Sequence, residues 1–495
     1  MPVLLSETDR LIQQANTLFL QGHGRDAMAL LHDILRQDQG NLLALAKLAE
    51  IEVERKDIAS AMPRLEAILR AQPNFAPALS TLGQACWIAG NPWEGLRHAR
   101  RAVEVQPPNP HYRLILGQLC VWLGRFDEAR ALGEALLDPA LYDPNIRTRA
   151  YGLLGELDVA RGAFREARAA FQAALDLSPD HPQSRMNHGM NLLRLGEFEA
   201  GWESYAWRDK VTFFHPDGMP NLPGRRWMGE ALFGRSILLQ DDQGFGDAIQ
   251  FCRYHRLLKQ AGAERIVHVT YPPLASLLST SGPAEVVTAM PTAALCDVHC
   301  LTSDLPFLLR TRMDTIPSET PYLRAKPALP PATDGRLRIG LVWSGDRRHL
   351  RDHQRSIPAG RFLAMTDDVD ATFYSLQFAV RDTDRSALLE RPGIARVDMD
   401  AGDFADTAAL VASLDLVITV DTSMAHLAGA LGKPVWIMLP LAPDWRWLTD
   451  RDDSPWYPTA RLFRADLRGW GRPLKQAERA LKALVTKQRQ RGKRA

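Results

Sequence analysis

Residues 420–434, VDTSMAHLAGALGKP, end an apolar run (DLVITV) in one acid and two hydroxyls, and set a histidine one turn into the helix that follows. In TSMAHLAGAL, Met424, Leu427, Ala428 and Leu431 share a face at i, i+3, i+4 and i+7, which leaves Thr422, His426 and Gly429 on the other side. The first N–H groups of a helix lack carbonyl partners and carry partial positive charge, so such a turn suits an anion, and diphosphate is a natural guest. Asp421, Thr422 and Ser423 would surround it, with His426 close by. The same residues also read as an ordinary cap, with Asp421 or Thr422 closing the helix and His426 partly exposed. Spacing alone does not choose between the two.

A second loop has the same position, after a strand and before a helix. In LLQDDQGFGDAIQF, Gly244 and Gly246 permit a tight turn and close backbone approach, and Asp247 stands at the start of the helix. Ile249 occupies the place of a third glycine, so a dinucleotide fingerprint is not supported. Asp247 reads either as the N-cap of that helix or as a carboxylate with chemistry to perform. A third loop, SGDRRHLRDHQRSIP, gathers Arg347, Arg348, Arg351 and Arg355. One or two of these could clamp phosphate through a bidentate fork, and Arg355 lies nearest the next element. Other signals fail. The Gly-Lys at 432–433 belongs to a helix end, not a P-loop. Cys296, His299 and Cys300 make half a zinc site with no second pair to complete it. Asp398 and Asp400 could hold a metal, but nothing else calls for a divalent cation.

The elements that must position these loops alternate strand and helix from Ser236 onward. SILLQ, RIVHVT, AEVVT and DVHCL are strands of a first half, residues 235–325, with helices at DAIQFCRYHRLLKQAG and PPLASLLST. After a proline-rich link at 326–335, a second half at 336–470 supplies strands RLRIGLVWSG, ATFYSLQ, DLVITV and KPVWIML and helices DFADTAALVASL and TSMAHLAGAL. This alternation predicts parallel sheets covered on both faces, with ligands at the carboxyl ends of the strands and a cleft between the halves. Residues 209–234, rich in Pro and Gly, read as a connector.

Before the connector, residues 1–208 repeat. Turns at Gly22, Lys56, Gly90, Gly124, Gly162 and Gly196 recur at steps of 34, 34, 34, 38 and 34 residues, each between two apolar-periodic segments. Prolines close several of the second segments, at Pro73, Pro107 and Pro179. Thirty-four residues with this grammar is the tetratricopeptide repeat, a helix–turn–helix unit that buries its apolar face only by stacking on neighbours. The extra four residues fall at DPALYDPN, a longer turn, and Trp202, Tyr205 and Trp207 read as packing at the end of the array. Such an array docks a peptide or protein and does no chemistry.

The chain's charge of +2 conceals an asymmetry. Residues 471–495, read as a terminal helix and a basic, solvated tail, carry nine Lys/Arg against one Glu, so the body is net acidic and not a nucleic-acid binder. No apolar run is long enough to span a membrane, and MPVLLSETDRLIQQ lacks the character of a secretory signal. Five scattered cysteines argue against a disulfide framework and place the expectation in the cytoplasm.

With these motifs in hand, residues 236–470 resemble the glycosyltransferase family 9 group, the heptosyltransferase-like enzymes of the GT-B fold. The likeness lies in LLQDDQGFGDAIQFCRY, IGLVWSG with RSIP, DFADTAAL, VDTSMAHLAGALGKPVWIMLPLAPDWRWL and DSPWYPTARLFR. The whole chain resembles bacterial proteins that join tetratricopeptide repeats to such a domain, and more distantly the O-linked N-acetylglucosamine transferases. The resemblance implies an α-solenoid followed by an α/β GT-B domain of two Rossmann-like halves. It implies an inverting, metal-independent transfer of sugar from a nucleotide-sugar donor, with no further cofactor. In its terms Asp247 is the general base, and Asp421, Thr422 and Ser423 hold the donor diphosphate beside His426. Gly244 and Gly246 shape the first loop, Arg355 stands where the family carries a lysine, and Trp343, Ser344, Gly345 and Gln377 line the donor pocket. The first half spans only about ninety residues, short for the lobe that shapes the family's acceptor site. Acceptor recognition therefore falls to the repeats, and a protein such as flagellin or another surface protein is the expected acceptor. The alternative is a repeat scaffold whose GT-B domain senses nucleotide or is inactive.

Overall fold

The turn residues of the repeats set the geometry of the first part of the molecule. In the computed structural model, which describes residues 6–211, 222–290, 296–330, 333–349, 351–397 and 403–492, Gly22, Gly90, Gly124, Gly162 and Gly196 all have φ between 71° and 88°. This left-handed conformation reverses the chain at little cost for glycine, and Lys56, at φ 64°, adopts it with a side chain. At each such turn an N–H just past the helix returns to a carbonyl of its last turn, as in His23 to Leu18 (2.9 Å) and Arg125 to Cys120 (2.8 Å). Twelve helices result. They pair as α1 (Glu7–Leu20) with α2 (Gly24–Gln37), α3 (Leu42–Glu54) with α4 (Ile58–Ala71), and α5 (Ala76–Ile88) with α6 (Pro92–Val105). The series continues with α7 (Pro110–Trp122) and α8 (Phe126–Glu134), α9 (Pro144–Ala160) and α10 (Phe164–Leu177), and α11 (Pro182–Arg194) and α12 (Phe198–Tyr205). Leu31, Leu48 and Ile51 belong to one stretch of its apolar core, and Leu96, Leu119 and Leu157 to another. Trp202 and Tyr205 are buried near its end, their rings edge to face at 6.3 Å.

The chain divides into two compact units, residues 1–192 with 200–221, and residues 193–199 with 222–495. The second unit contains two parallel sheets. The first comprises β1 (Arg225–Arg226), β2 (Ser236–Gln240), β3 (Arg265–Val269), β4 (Ala284–Val287) and β5 (Val298–Leu301), in the order β1-β5-β2-β3-β4. Among its helices are α13 (Phe245–Phe251), α14 (His255–Gln260), α15 (Ala275–Leu278) and α16 (Leu305–Leu308). The second sheet comprises β6 (Arg338–Val342), β7 (Thr372–Ser375), β8 (Ile394–Arg396), β9 (Leu416–Val420), β10 (Val435–Leu439) and β11 (Ala460–Arg464), in the order β11-β10-β9-β6-β7-β8. Its helices include α17 (Asp352–Arg355), α18 (Ala359–Leu363), α19 (Asp382–Leu389), α20 (Phe404–Ala412), α21 (Ser423–Ala430) and α22 (Gly471–Gly492). Every residue of β9 and β10 is buried, the signature of inner parallel strands covered on both faces.

Two expectations need correction. The segment 209–234 is not a connector throughout, because Arg225 and Arg226 pair with Val298 and His299 as an edge strand and Trp227 is buried. The basic terminus, read as a helix and a solvated tail, is exposed at residues 486–490 as expected but stays helical there and does not trail off as a tail. Helix α22 continues to Gly492, buries Leu474, Ala477 and Leu481 in the core of the second half, and pairs Arg489 with Asp370. No helix among the described residues is long and apolar enough to cross a membrane.

Candidate functional site

The loop after β2 is held from below by the ends of its neighbouring strands. Asp241 accepts hydrogen bonds from Thr270 Oγ1 (2.6 Å) and Thr302 Oγ1 (2.8 Å) and lies 3.0 Å from His268 Nε2, so β2, β3 and β5 are tied together where the loop begins. Ser303 donates to Asp242, and Tyr271 to the carbonyl of Gln243. Asp247 is not the N-cap of α13. That place belongs to Gly244, and Asp247, three residues on, reaches back to accept the Gly244 N–H at 3.0 Å.

The loop after β9 faces it. Thr422 is the N-cap of α21 but makes no side-chain capping bond, so the helix presents its N-terminus without that closure. Arg355, at the end of α17, donates from Nη1 to the carbonyl of Asp421 at 2.9 Å. His426 is buried, not partly exposed. Its Nδ1 lies 2.7 Å from the Tyr457 hydroxyl, and its ring stacks on Trp447 with centroids 5.4 Å apart. Burial, with Arg446 adding to it, pushes the imidazole down to about 3, so His426 is neutral near pH 7.

Helices α13 and α21 bring the two loops into contact. A Cβ on Gly246 would lie 2.8 Å from His426 Cδ2 and 3.6 Å from the Cα of Ser423, so only glycine allows this approach. The carboxylates and arginines then interlock. Arg446, in the short 3-10 turn Trp445–Trp447, pairs with Asp247, donates to Gln250 Oε1, and holds Asp444 at 2.8 Å. Burial lifts the Asp247 carboxyl above its ordinary range against the pull of Arg446. Asp421 is pushed up to about 6, first by burial and then by the Asp444 carboxylate, with Arg355 opposing. For Asp444 burial acts upward too, but Arg446 prevails and holds it low. Two aspartates thus stand on facing loops, each tied to an arginine in a different way: Asp247 through its carboxylate to Arg446, Asp421 through its main-chain carbonyl to Arg355.

Two candidate residues are turned inward and cannot line a donor pocket. Trp343 is fully buried in the core of the second half, its indole N–H donating to Asp384 at 3.0 Å. Gln377 spends its amide on backbone: Oε1 accepts from the N–H groups of Trp343 and Ser344, and Nε2 donates to the carbonyls of Ser344 and Phe378. Both residues fix the loop after β6 instead. Ser344 is buried, its backbone held by Gln377, while Gly345 lies against Arg355. Gly345 leaves room for Arg355, whose guanidinium would lie 2.6 Å from a Cβ there. Arg381, which the motifs did not single out, braces this loop through the Gly345 carbonyl (3.2 Å), Ser356 Oγ (3.1 Å) and Asp352. Arg446, Asp444 and Trp447 were equally unmarked. The sequence PDWRWL carried the only available hint, a charged pair between tryptophans just beyond a buried strand. His299 binds the Pro223 carbonyl, and no metal-ligating cluster occurs among the described residues; Asp398 and Asp400 lie outside them.

In the first unit, the leading helices of several repeats assemble a polar surface. Lys47 on α3 donates to Glu50 (2.7 Å) and to Asn16 on α1 (3.1 Å), while Arg149 on α9 donates to His111 Nδ1 on α7 (2.6 Å). Burial and the neighbouring Glu50 raise the carboxyl of Glu54. A cavity of about 620 Å³ opens beside it, lined in part by Gln106, Pro108, His111 and Asp143.

Comparison with known proteins bears on the first unit most directly. The tetratricopeptide repeat family matches residues 18–86 and, through a second repeat type, residues 81–144 and 153–206. Protein FlbA of Caulobacter vibrioides is 26% identical over 302 residues, which cover 55% of this chain and 50% of that protein. The chain thus spans about half the length of the curated relative it matches. Among solved structures, TTC0263, a thermophilic TPR protein in Thermus thermophilus, is 22% identical over 37% of this chain and 98% of that one, with a TM-score of 0.33. YrrB, a TPR protein with an unusual peptide-binding site, is 23% identical over 35% of this chain and 88% of that one, with a TM-score of 0.26. The chain therefore carries a tetratricopeptide-repeat solenoid of about twelve helices, followed by an α/β region of parallel sheets.

Proposed function

We propose that the second unit is a glycosyltransferase of the GT-B kind, which moves a sugar from a nucleotide-sugar donor to an acceptor hydroxyl. The observation that carries this reading is the face-to-face approach of α13 and α21 at Gly246 and His426, which sets Asp247 opposite an N-terminus flanked by Thr422, Ser423 and Arg355. Glycosyl transfer needs a base for the acceptor hydroxyl and a positive environment for the departing diphosphate. Asp247 serves the first need. The N–H groups of α21, Arg355 and a neutral, donating His426 serve the second. The repeats dock the acceptor, which on this reading is a protein such as flagellin or another surface protein, and the polar surface around Lys47, Glu50 and Arg149 suits a peptide segment.

A panel of nucleoside diphosphates and nucleotide sugars, screened by thermal shift on the full chain, tests the donor half. A ligand at a hundred times its dissociation constant adds about 2.7 kcal/mol of stability, a readily seen shift. If no member of the panel shifts the transition, the donor reading falls. A chain lacking residues 1–205 that still binds donor and modifies the protein acceptor as well as the intact chain would remove the docking role. The ion pair between Asp247 and Arg446 favours a second reading, a scaffold whose α/β unit binds nucleotide without turnover, because a paired carboxylate is a poor base. Under that reading the panel still shifts the transition but no sugar is transferred.

A further inference from the structure

Arg446 belongs to the second half of the α/β unit, yet two of its three nitrogens are spent on the first half. One guanidinium nitrogen pairs with Asp247 Oδ1, Nε donates to Gln250 Oε1, and Nη1 holds Asp444 Oδ1 at 2.8 Å within its own turn. Both first-half partners lie on α13, one turn apart along the helix face.

Around this knot the supply of donors and acceptors is uneven. Gln250 is fully buried, and its Nε2 has no hydrogen-bond partner among the described residues. Arg355 Nε, 3.6 Å from Asp352 Oδ1, also lacks a hydrogen bond among the described residues. Buried donors without acceptors cost free energy until something acceptor-rich completes them. Asp247 is in the opposite condition, accepting both the Gly244 N–H and Arg446. An adjacent guanidinium favours the charged carboxylate and so weakens it as a proton acceptor.

We propose that Arg446 is a displaceable latch on Asp247, drawn off by a pyrophosphate group entering at the N-terminus of α21, so that the carboxylate becomes free to accept a proton only once the donor is bound. The inference rests on the glycosyltransferase reading and adds an order of binding to it: donor first, then chemistry. Asp444 supplies the pivot, because its bond to Nη1 can persist while the other nitrogens turn toward phosphate. In the transfer step, the acceptor O–H proton passes to Asp247 as the acceptor oxygen forms its bond to the anomeric carbon. The bond from that carbon to the diphosphate oxygen breaks, its electron pair leaves with the diphosphate, and Arg446 meets the added charge. The same residue thus guards the base in the empty site and serves the leaving group in the filled one.

Release of the latch has a thermodynamic signature. A carboxylate that loses its guanidinium partner in a buried setting gains affinity for protons, so ligand binding should be accompanied by proton uptake. The groups that face Asp247 are Arg446 and Asp444 from the turn after β10, Asp241 at the end of β2, Tyr271 after β3, and His426 on α21 beside Gly246. Asp421 titrates nearby and also responds to an anion, so a variant is needed to isolate Asp247.

The test is calorimetry on the full chain with inorganic pyrophosphate, ADP, GDP, CDP and UDP, each in buffers of different ionisation enthalpy at about pH 6 and about pH 8. Wild type is expected to take up a fraction of a proton per site at about pH 6 and close to none at about pH 8, where Asp247 stays ionised and able to act as the base, and Asp247→Asn and Arg446→Gln should each lose most of the uptake seen at the lower pH. Uptake that is unchanged in Asp247→Asn, with binding intact, overturns the latch and leaves the donor reading standing. Absence of binding by every probe overturns the donor reading and the latch with it. A second measurement needs no variant. In the structure of the pyrophosphate-bound chain, Arg446 should bond phosphate and no longer reach Asp247, and a retained Arg446–Asp247 pair overturns the proposal.

Discussion

Replacing Gly246 by alanine probes the contact on which the site depends. Gly246 is the second residue of α13 and has no left-handed φ to protect, so alanine on its own merits should stabilise the helix by about 0.5–1 kcal/mol. The added Cβ, however, would stand 2.8 Å from His426 Cδ2, nearer than such atoms approach. The imidazole cannot swing aside cheaply, being bonded to Tyr457 and stacked on Trp447. Relief must come from moving α13 away from α21, and overpacking of this kind costs about 1–3 kcal/mol. The natural control is Gly360, also the second residue of its helix, where among the described residues a Cβ would meet only Ala387 Cβ at 3.7 Å, an ordinary contact. Gly360→Ala should therefore be neutral or stabilising and Gly246→Ala destabilising, a separation of about 1–3 kcal/mol in the same unit. Urea unfolding followed by tryptophan fluorescence reads it, because Trp343, Trp445, Trp447 and Trp456 are all buried in this unit. Nucleoside diphosphate affinity should fall in Gly246→Ala alone. If Gly246→Ala is as stable as Gly360→Ala, the two loops do not meet as described.

Three further outcomes follow from the geometry. Tyr457→Phe removes the partner of His426 Nδ1 and should cost about 1–3 kcal/mol in the urea transition while weakening diphosphate binding; unchanged binding would separate the imidazole from the anion site. Asp421→Asn should stabilise the unit above pH 6 by about 1–3 kcal/mol, since a carboxyl raised to about 6 opposes folding once ionised. That gain should shrink as pH falls through 6 and vanish below about pH 4, where Asp421 is neutral in both states; a gain independent of pH would contradict the shift. In the repeats, Gly155→Ala should destabilise by about 1–3 kcal/mol, because its Cβ would meet the Phe171 ring at 2.4 Å, whereas Gly152→Ala on the same helix meets nothing within 4 Å and should stabilise, as thermal unfolding of the two variants can decide.

What could be read in advance follows physical lines. The repeats were legible because their signal is periodic: a turn that needs left-handed φ recurs with glycine, and apolar stripes recur on both sides of it. Even Lys56 was placed by period alone. The buried strands β6, β9 and β10 announced themselves as unbroken apolar runs ending in small or polar residues. Elements with little to bury did not. Strand β8 has one buried residue in three, and β1 consists of two arginines whose pairing is made by backbone, which no pattern of side chains records. The loops after β2 and β9 were visible as candidate loops, but their contents were only partly so. Trp343 and Gln377 sit where a pocket residue should, and only the hydrogen bonds show that their polar atoms are spent inside the fold. Arg446 was hidden for a different reason. Its partner Asp247 is 199 residues away, on helix α13 of the first half, and an arginine between two tryptophans carries no signature of the carboxylate it will meet. Asp247 itself looked like a cap, and it does support the N-terminus of α13, through Gly244 and from inside the helix.

The central claim, that this α/β unit transfers sugar to a protein docked by the repeats, is tested most directly by incubating the full chain with labelled nucleotide sugars and an extract from cells that lack it. We expect a nucleotide sugar to place its label on a discrete protein with the wild-type chain, and the label to disappear with Asp247→Ala and with His426→Ala. Labelling by both variants at the wild-type level, or no labelling from any donor that the wild-type chain binds, would contradict it.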